Sequence, residues 1–265
     1  MATFKLVTPT WVSQNLNDET LVLIDARSPA DYWRGHIAGA RNFDPALLSI
    51  VRTDPASLTR FQAVLAWALS ALGLTAESRV VIIGAQNDAP SAKTAWAFAY
   101  AGIQHISLLD GGLAAWPGEH VTTAASWSAT PFVLTPQSEY LATAQDVLTA
   151  TQQNRTILDA RSREEFDGVR SNAGRKGRIP EAKFWDNSLE LNGDGQYASA
   201  HGVSSQAQQI GITPQDSPIV YCGGGGRAAR TFVALQLAGQ QAAVYPASWL
   251  EWGTDPQYPI QSPSA

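Results

Sequence analysis

A chain that repeats itself must fold the same way twice, and this one repeats. Residues 21–27 (LVLIDAR) return as residues 156–161 (TILDAR), with 134 positions between Asp25 and Asp159. The run VVIIG, ending at Gly84, returns as PIVYC, ending at Cys222, at an offset of 138. Gly102 returns as Gly239 at 137, and Trp116 as Trp252 at 136. Offsets this close, in unchanged order, indicate a tandem duplication. The length of 265 residues accommodates two domains on a prior of roughly 150 residues each. Between Pro117 and Pro136 the chain is rich in Thr, Ser and Ala and has no period, as a connection would be. The expected division is a domain over 1–120, a linker over 121–136 and a second domain over 137–265.

Within each half, apolar runs of four to six residues rich in Val, Ile and Leu read as strands buried on both faces of a parallel sheet. Helical patterns alternate with them. Over 58–72, Phe61, Val64, Leu65, Ala68, Leu69 and Leu72 mark one helical face, and Gly73 stands where a C-terminal cap belongs. Val147 and Leu148 suggest a weaker counterpart in the second half, and helices are expected over 93–101 and 228–238, each ending before a glycine. The fold class this predicts is α/β, a mainly parallel sheet flanked by helices, occurring twice.

Composition narrows the function. Eighteen Lys and Arg against 23 Asp and Glu leave a net charge of −5, so no general positive field exists to recruit a phosphate backbone, and nucleic acid is not an expected partner. No apolar run approaches the roughly 18 residues of a membrane span, and residues 1–5 lack the layout of a signal peptide; the expected compartment is the cytoplasm. The single cysteine, Cys222, excludes an internal disulfide and a multi-thiolate zinc site. His36, His105, His120 and His201 show no metal-ligand spacing. Asn192-Gly193-Asp194-Gly195 lacks the spaced acids of a calcium loop and reads as a polar turn.

Cys222 sits in the most informative segment, SPIVYCGGGGRAAR over 217–230. A strand ends, the thiol follows, then four glycines, and a helix begins near Arg227, the place where ligands collect in open α/β sheets. Glycines can take positive φ and turn several N–H groups toward one point. Such a nest, with the helix N-terminus and the nearby Arg227 and Arg230, favours thiolate over thiol and could cradle a second sulfur as a persulfide. A lone cysteine is more often inert packing. Four consecutive glycines argue otherwise, since each costs roughly 0.5–1 kcal/mol of folding entropy in regular structure.

These residues, with Gly35-His36-Ile37-Ala38-Gly39-Ala40 and Ser248-Trp249-Leu250-Glu251-Trp252-Gly253, resemble the two-domain rhodanese family over nearly the whole chain. The resemblance implies two tandem rhodanese-like domains, with sulfane sulfur carried on Cys222 in the six-residue loop 222–227. The first half, with Gly84 at the corresponding place, would serve as scaffold and as one wall of a cleft. It also implies transfer of sulfur from thiosulfate to cyanide or a thiol by way of a Cys222 persulfide, with no metal or organic cofactor. Gly223, Gly224, Gly225, Gly226 and Arg227 would then bind substrate. The closing arginine resembles that of bacterial thiosulfate enzymes. Mercaptopyruvate enzymes typically carry Ser-Val-Thr in the loop and an arginine where this chain carries Glu165.

Several secondary readings accompany this one. Arg178, Trp185 and Trp249, with Trp252, are candidate cleft contacts, and Arg178 is expected to be a surface residue because long charged side chains are mostly exposed. The repeated Asp25-x-Arg27 and Asp159-x-Arg161 occur in the half without the thiol too, so they are read as ties between strand and loop. A mercaptopyruvate sulfurtransferase, a cysteine phosphatase of related fold and a sulfur carrier without turnover are the alternatives. A phosphatase needs five residues between Cys and Arg, and only Gly223 to Gly226 intervene here.

Overall fold

The computed structural model describes residues 1–153 and 155–262. The chain divides into two compact units. The first comprises 1–49, 59–137 and 192–197; the second comprises 50–58, 138–191 and 198–265.

The first unit is built on five strands, β1 (Thr3–Val7), β2 (Leu21–Asp25), β3 (Arg41–Asn42), β4 (Arg79–Ile83) and β5 (His105–Leu109), in the order β1-β5-β4-β2-β3. Every pairing is parallel. In β4 the four residues from Val80 to Ile83 are all buried, as a central strand covered on both faces requires. Helices α1 (Pro9–Gln14), α2 (Pro29–Arg34), α3 (Pro55–Ala71) and α4 (Ala89–Ala101) belong to this half of the sequence. Helix α3 buries Phe61, Leu65, Ala68 and Leu69 as its periodicity predicts, but Val64 is exposed; the apolar face is narrower than the sequence pattern. Helix α4 starts earlier than expected because Asp88 caps it, accepting from the Ser91 N–H at 2.9 Å.

The second unit holds β6 (Ile157–Asp159), β7 (Lys183–Phe184), β8 (Ile219–Tyr221) and β9 (Ala243–Val244), again all parallel, in the order β7-β6-β8-β9. Its helices are α5 (Ala144–Gln152), α6 (Arg163–Phe166), α7 (Ala200–Gln209), α8 (Gly226–Leu237) and α9 (Ser248–Trp252). The two sheets repeat one topology at their common strands.

The paired Asp-x-Arg motifs are structural clamps in both units. Arg27 grips Asp25 through two nitrogens and donates to the Gly35 carbonyl at 2.7 Å. Arg161 does the same with Asp159 and the Gly177 carbonyl at 2.8 Å. Each ties the end of a central strand to the loop after the next helix. Among the described residues, no helix is long and apolar enough to cross a membrane.

Candidate active site

Strand β8 delivers Cys222 at its carboxyl end with 1% of its surface exposed. The chain then turns back into α8. That reversal depends on Gly225, which caps α8 at φ +90, a left-handed conformation that costs an L-residue roughly 1–2 kcal/mol. A Cβ there would also collide with the Pro246 carbonyl oxygen. The result is a short contact: the Gly225 N–H donates to Cys222 Sγ at 3.1 Å.

The other glycines serve a different purpose from the one expected. Gly223, Gly224 and Gly226 do not take positive φ. Two of them allow close approach: a Cβ on Gly223 would stand 2.7 Å from Asn172 Nδ2 and 3.1 Å from Arg227 Nη2, and one on Gly224 would stand 3.1 Å from Leu250 Cδ1. Gly223 and Gly224 therefore let neighbours close over the loop.

The α9 segment fixes the loop from below. Ser248, itself at φ +54, accepts from the Cys222 N–H at 3.0 Å and donates to the Tyr245 carbonyl at 2.7 Å, leaving its Oγ 4.0 Å from Sγ. The Trp249 and Leu250 N–H groups donate to the Cys222 and Gly223 carbonyls, each at 3.0 Å. Nothing in the Ser-Trp-Leu-Glu-Trp run of the sequence points to this task for Ser248. Asn172 was missed as well. The signal for Asn172 was an insertion: the second half has eight more residues than the first between its clamp arginine and the carbonyl it holds.

Arg227 is the second residue of α8, and its charge is engaged. It meets Glu165 in a two-point ion pair, Nη1 to Oε2 at 2.7 Å and Nη2 to Oε1 at 3.1 Å. Burial would raise the Glu165 carboxyl, yet the Arg227 and Ser162 hydrogen bonds and the Arg227 charge outweigh it and hold the group at about 2. Burial likewise works against the Arg227 cation, and the hydrogen bonds and charge of Glu165 raise it above its ordinary value.

Three other expectations need correction. Arg230 does not face the thiol; it pairs with buried Glu190 at 2.8 Å and with Asn187. Trp185 and Trp249 are completely buried, as is Trp252, so they present no surface to a cleft. Their indole N–H groups are satisfied inside: Trp185 by Glu190, Trp249 by Ser171 and Arg175, Trp252 by Pro259. Large rings with one polar atom go to the core when that atom finds a partner. Arg178 is half-buried rather than on the surface, with its guanidinium 4.5 Å over the Phe166 ring.

The first unit shows what the loop becomes without the thiol. A Cβ at Gly84 would stand 2.5 Å from the Gln86 carbonyl oxygen and 2.8 Å from Asp88 Oδ1. Asp88 reaches back to accept from the Ala85 and Ser91 N–H groups, so a carboxylate of the protein itself occupies the place of an anion. Among the described residues no group of His, Cys, Asp and Glu side chains could hold a metal ion.

Along nearly its whole length the chain is similar to known proteins. A thiosulfate sulfurtransferase of Azotobacter vinelandii is 26% identical over 97% of this chain and 96% of its own. The crystal structure of a 3-mercaptopyruvate sulfotransferase, SseA of Escherichia coli, superposes with a TM-score of 0.78 at 25% identity, covering 93% of this chain and 99% of that one. The structure of EanB with ergothioneine superposes at 0.85, with 23% identity over 98% of this chain and 70% of that one, and shares the fold. The Rhodanese-like domain family matches residues 8–119 and again residues 143–255, and the chain belongs to that family as two copies of its domain in tandem.

Proposed function

We propose that this protein is a sulfurtransferase that takes sulfane sulfur from thiosulfate onto Cys222 and passes it to cyanide or a thiol. One observation carries the reading: the Gly225 N–H aimed at Sγ at the start of α8. A helix N-terminus stabilises negative charge, and sulfur on sulfur, as a persulfide, is negative at its outer atom.

In the first step Cys222 Sγ, as thiolate, attacks the outer sulfur of thiosulfate. The new Sγ–S bond forms as the S–S bond of thiosulfate breaks, and sulfite leaves with the electron pair. In the second step the acceptor attacks the outer sulfur; with cyanide, thiocyanate leaves and the thiolate returns. Both displacements balance without an oxidant or reductant, so the proposal calls for no cofactor. A covalent intermediate of this kind predicts ping-pong kinetics. In this reading Gly223, Gly224, Gly225 and Gly226 form the loop around the bound sulfur, with the Gly225 N–H donating to Cys222 Sγ, and Arg227 stands beside the donor. The first domain, residues 1–120 in this proposal, carries no sulfur, because Gly84 stands where the nucleophile would be.

Intact-protein mass spectrometry tests this directly. Incubation with thiosulfate should add the mass of one sulfur atom, subsequent cyanide should remove it, and Cys222→Ala should gain none. Sulfur gained by the alanine variant would move the chemistry elsewhere. Loading without steady-state turnover would favour a carrier over an enzyme.

A further inference from the structure

The Glu165–Arg227 pair bears on which donors the site accepts. Glu165 is 5% exposed, whereas a third of the Arg227 side chain is open to solvent. A carboxyl held at about 2 is ionised at any working pH, so the charge of Arg227 is offset by an opposite charge in direct contact. An incoming anion meets a guanidinium with almost no net charge beside it.

Next to that pair stands Asn172. Its Nδ2 lies against Gly223, on the same side as Arg227 Nη2. The side chain is exposed, and its amide makes no hydrogen bond among the described residues. The backbone that carries it is nevertheless well anchored. Ser171 Oγ donates to the Arg175 carbonyl and accepts from the Trp249 indole. The Arg175 guanidinium donates to the carbonyls of Trp252, Gly253, Asp255 and Tyr258. A neutral, uncommitted donor is thus delivered to the loop on a fixed arm, where a second cation would serve a dianion better.

We infer that Glu165 makes the site selective for sulfur donors of single negative charge, organic thiosulfonates R–SO2–S−, over the dianion thiosulfate, with the Asn172 amide donating to a sulfonyl oxygen. The inference rests on the Cys222 sulfurtransferase reading. Cys222 Sγ would attack the terminal sulfur, the S–S bond would break, and the sulfinate R–SO2− would leave with the electron pair, so that charge and atoms balance as they do for thiosulfate. Glu165 is a positioning residue here, acting through Arg227.

The test compares kcat/KM for thiosulfate and benzenethiosulfonate in the wild type, Glu165→Gln and Asn172→Ala. Glutamine at the third position of α6 still completes the capping box with Ser162, so the variant should fold. Glu165→Gln should raise kcat/KM for thiosulfate on the order of ten-fold, mainly through KM, and less at high salt. The monoanion should change by less than about three-fold, since it carries half the charge. Asn172→Ala should lower kcat/KM for benzenethiosulfonate about ten-fold. In the wild type, benzenesulfinate should inhibit more tightly than sulfite, a measurement that needs no variant. Equal shifts for both donors in Glu165→Gln, or tighter inhibition by sulfite, would overturn the inference while sulfur loading on Cys222 stands. If neither donor loads sulfur on Cys222, the sulfurtransferase reading falls with it.

Discussion

The amide nitrogen of Gly225 stands 3.1 Å from Cys222 Sγ, and the conformation that puts it there is open to almost no other residue. Gly225→Ala must adopt a left-handed backbone and displace the Pro246 carbonyl, so the loop should shift and the N–H should lose its aim. Sulfur loading should slow by at least about ten-fold, the weight of a lost hydrogen bond to a charged group, with the thiol still present. Gly224→Ala is the control, because its methyl meets only the end of the Leu250 side chain. It should stay within about three-fold of wild type, as a contact that a flexible side chain can relieve. Quenched-flow loading followed by mass spectrometry separates the two; equal effects would deny Gly225 its role.

The parts of this fold visible in the sequence were those governed by local rules. Buried parallel strands write themselves as unbroken Val and Ile runs, and helices end at glycines such as Gly102, at φ +107. The loop at Cys222 was visible because four glycines interrupt a strand-to-helix junction. The electrostatics around it were not. Arg227 finds Glu165 across 62 positions of sequence, and no local pattern says that an arginine closing a loop is already neutralised. Membership of the reactive half says nothing of whether Trp185 and Trp249 line a cleft; Glu190, five positions from Trp185, and Ser171, 78 positions from Trp249, satisfy their N–H groups and let them sink into the core.

The two Asp-x-Arg clamps are built alike but differ in burial, and their substitutions should differ accordingly. The Arg161 side chain is completely buried and lies 4.4 Å over the Trp249 ring, whereas Arg27 is 11% exposed. Arg161→Ala leaves Asp159 as an unpaired buried charge and should cost about 3–5 kcal/mol. Arg27→Ala should cost less, because water can reach Asp25 through the space vacated. Urea unfolding midpoints of the two variants measure this, and an Arg27→Ala cost as large as that of Arg161→Ala would contradict the burial argument.

Glu181 occupies a left-handed position, φ +60, where the first half has Gly39 at φ +81. Its side chain is exposed, and the contact it makes to Gln261 runs through its backbone N–H at 3.3 Å, which glycine retains. Glu181→Gly should therefore stabilise the protein by up to about 1 kcal/mol, the left-handed cost less the entropy of a glycine in the unfolded chain. The reciprocal change, Gly39→Glu, meets open space and should destabilise by about 1–2 kcal/mol from backbone strain alone. Thermal unfolding of both variants checks the pair of signs.

Glu165 should also leave a mark on stability against pH. Its carboxyl falls from an ordinary 4.5 to about 2 in the folded protein, so the folded state holds its proton less readily than the unfolded chain. That contribution is fully present above about pH 4.5 and is lost as pH falls toward 2. With Arg227 one-third open to solvent, the amount is on the order of 1–2 kcal/mol after screening. Glu165→Gln should be less stable than wild type by that amount at about pH 7, and the two urea midpoints should converge on acidification. A constant gap between them across this window would mean that the ion pair contributes nothing to stability.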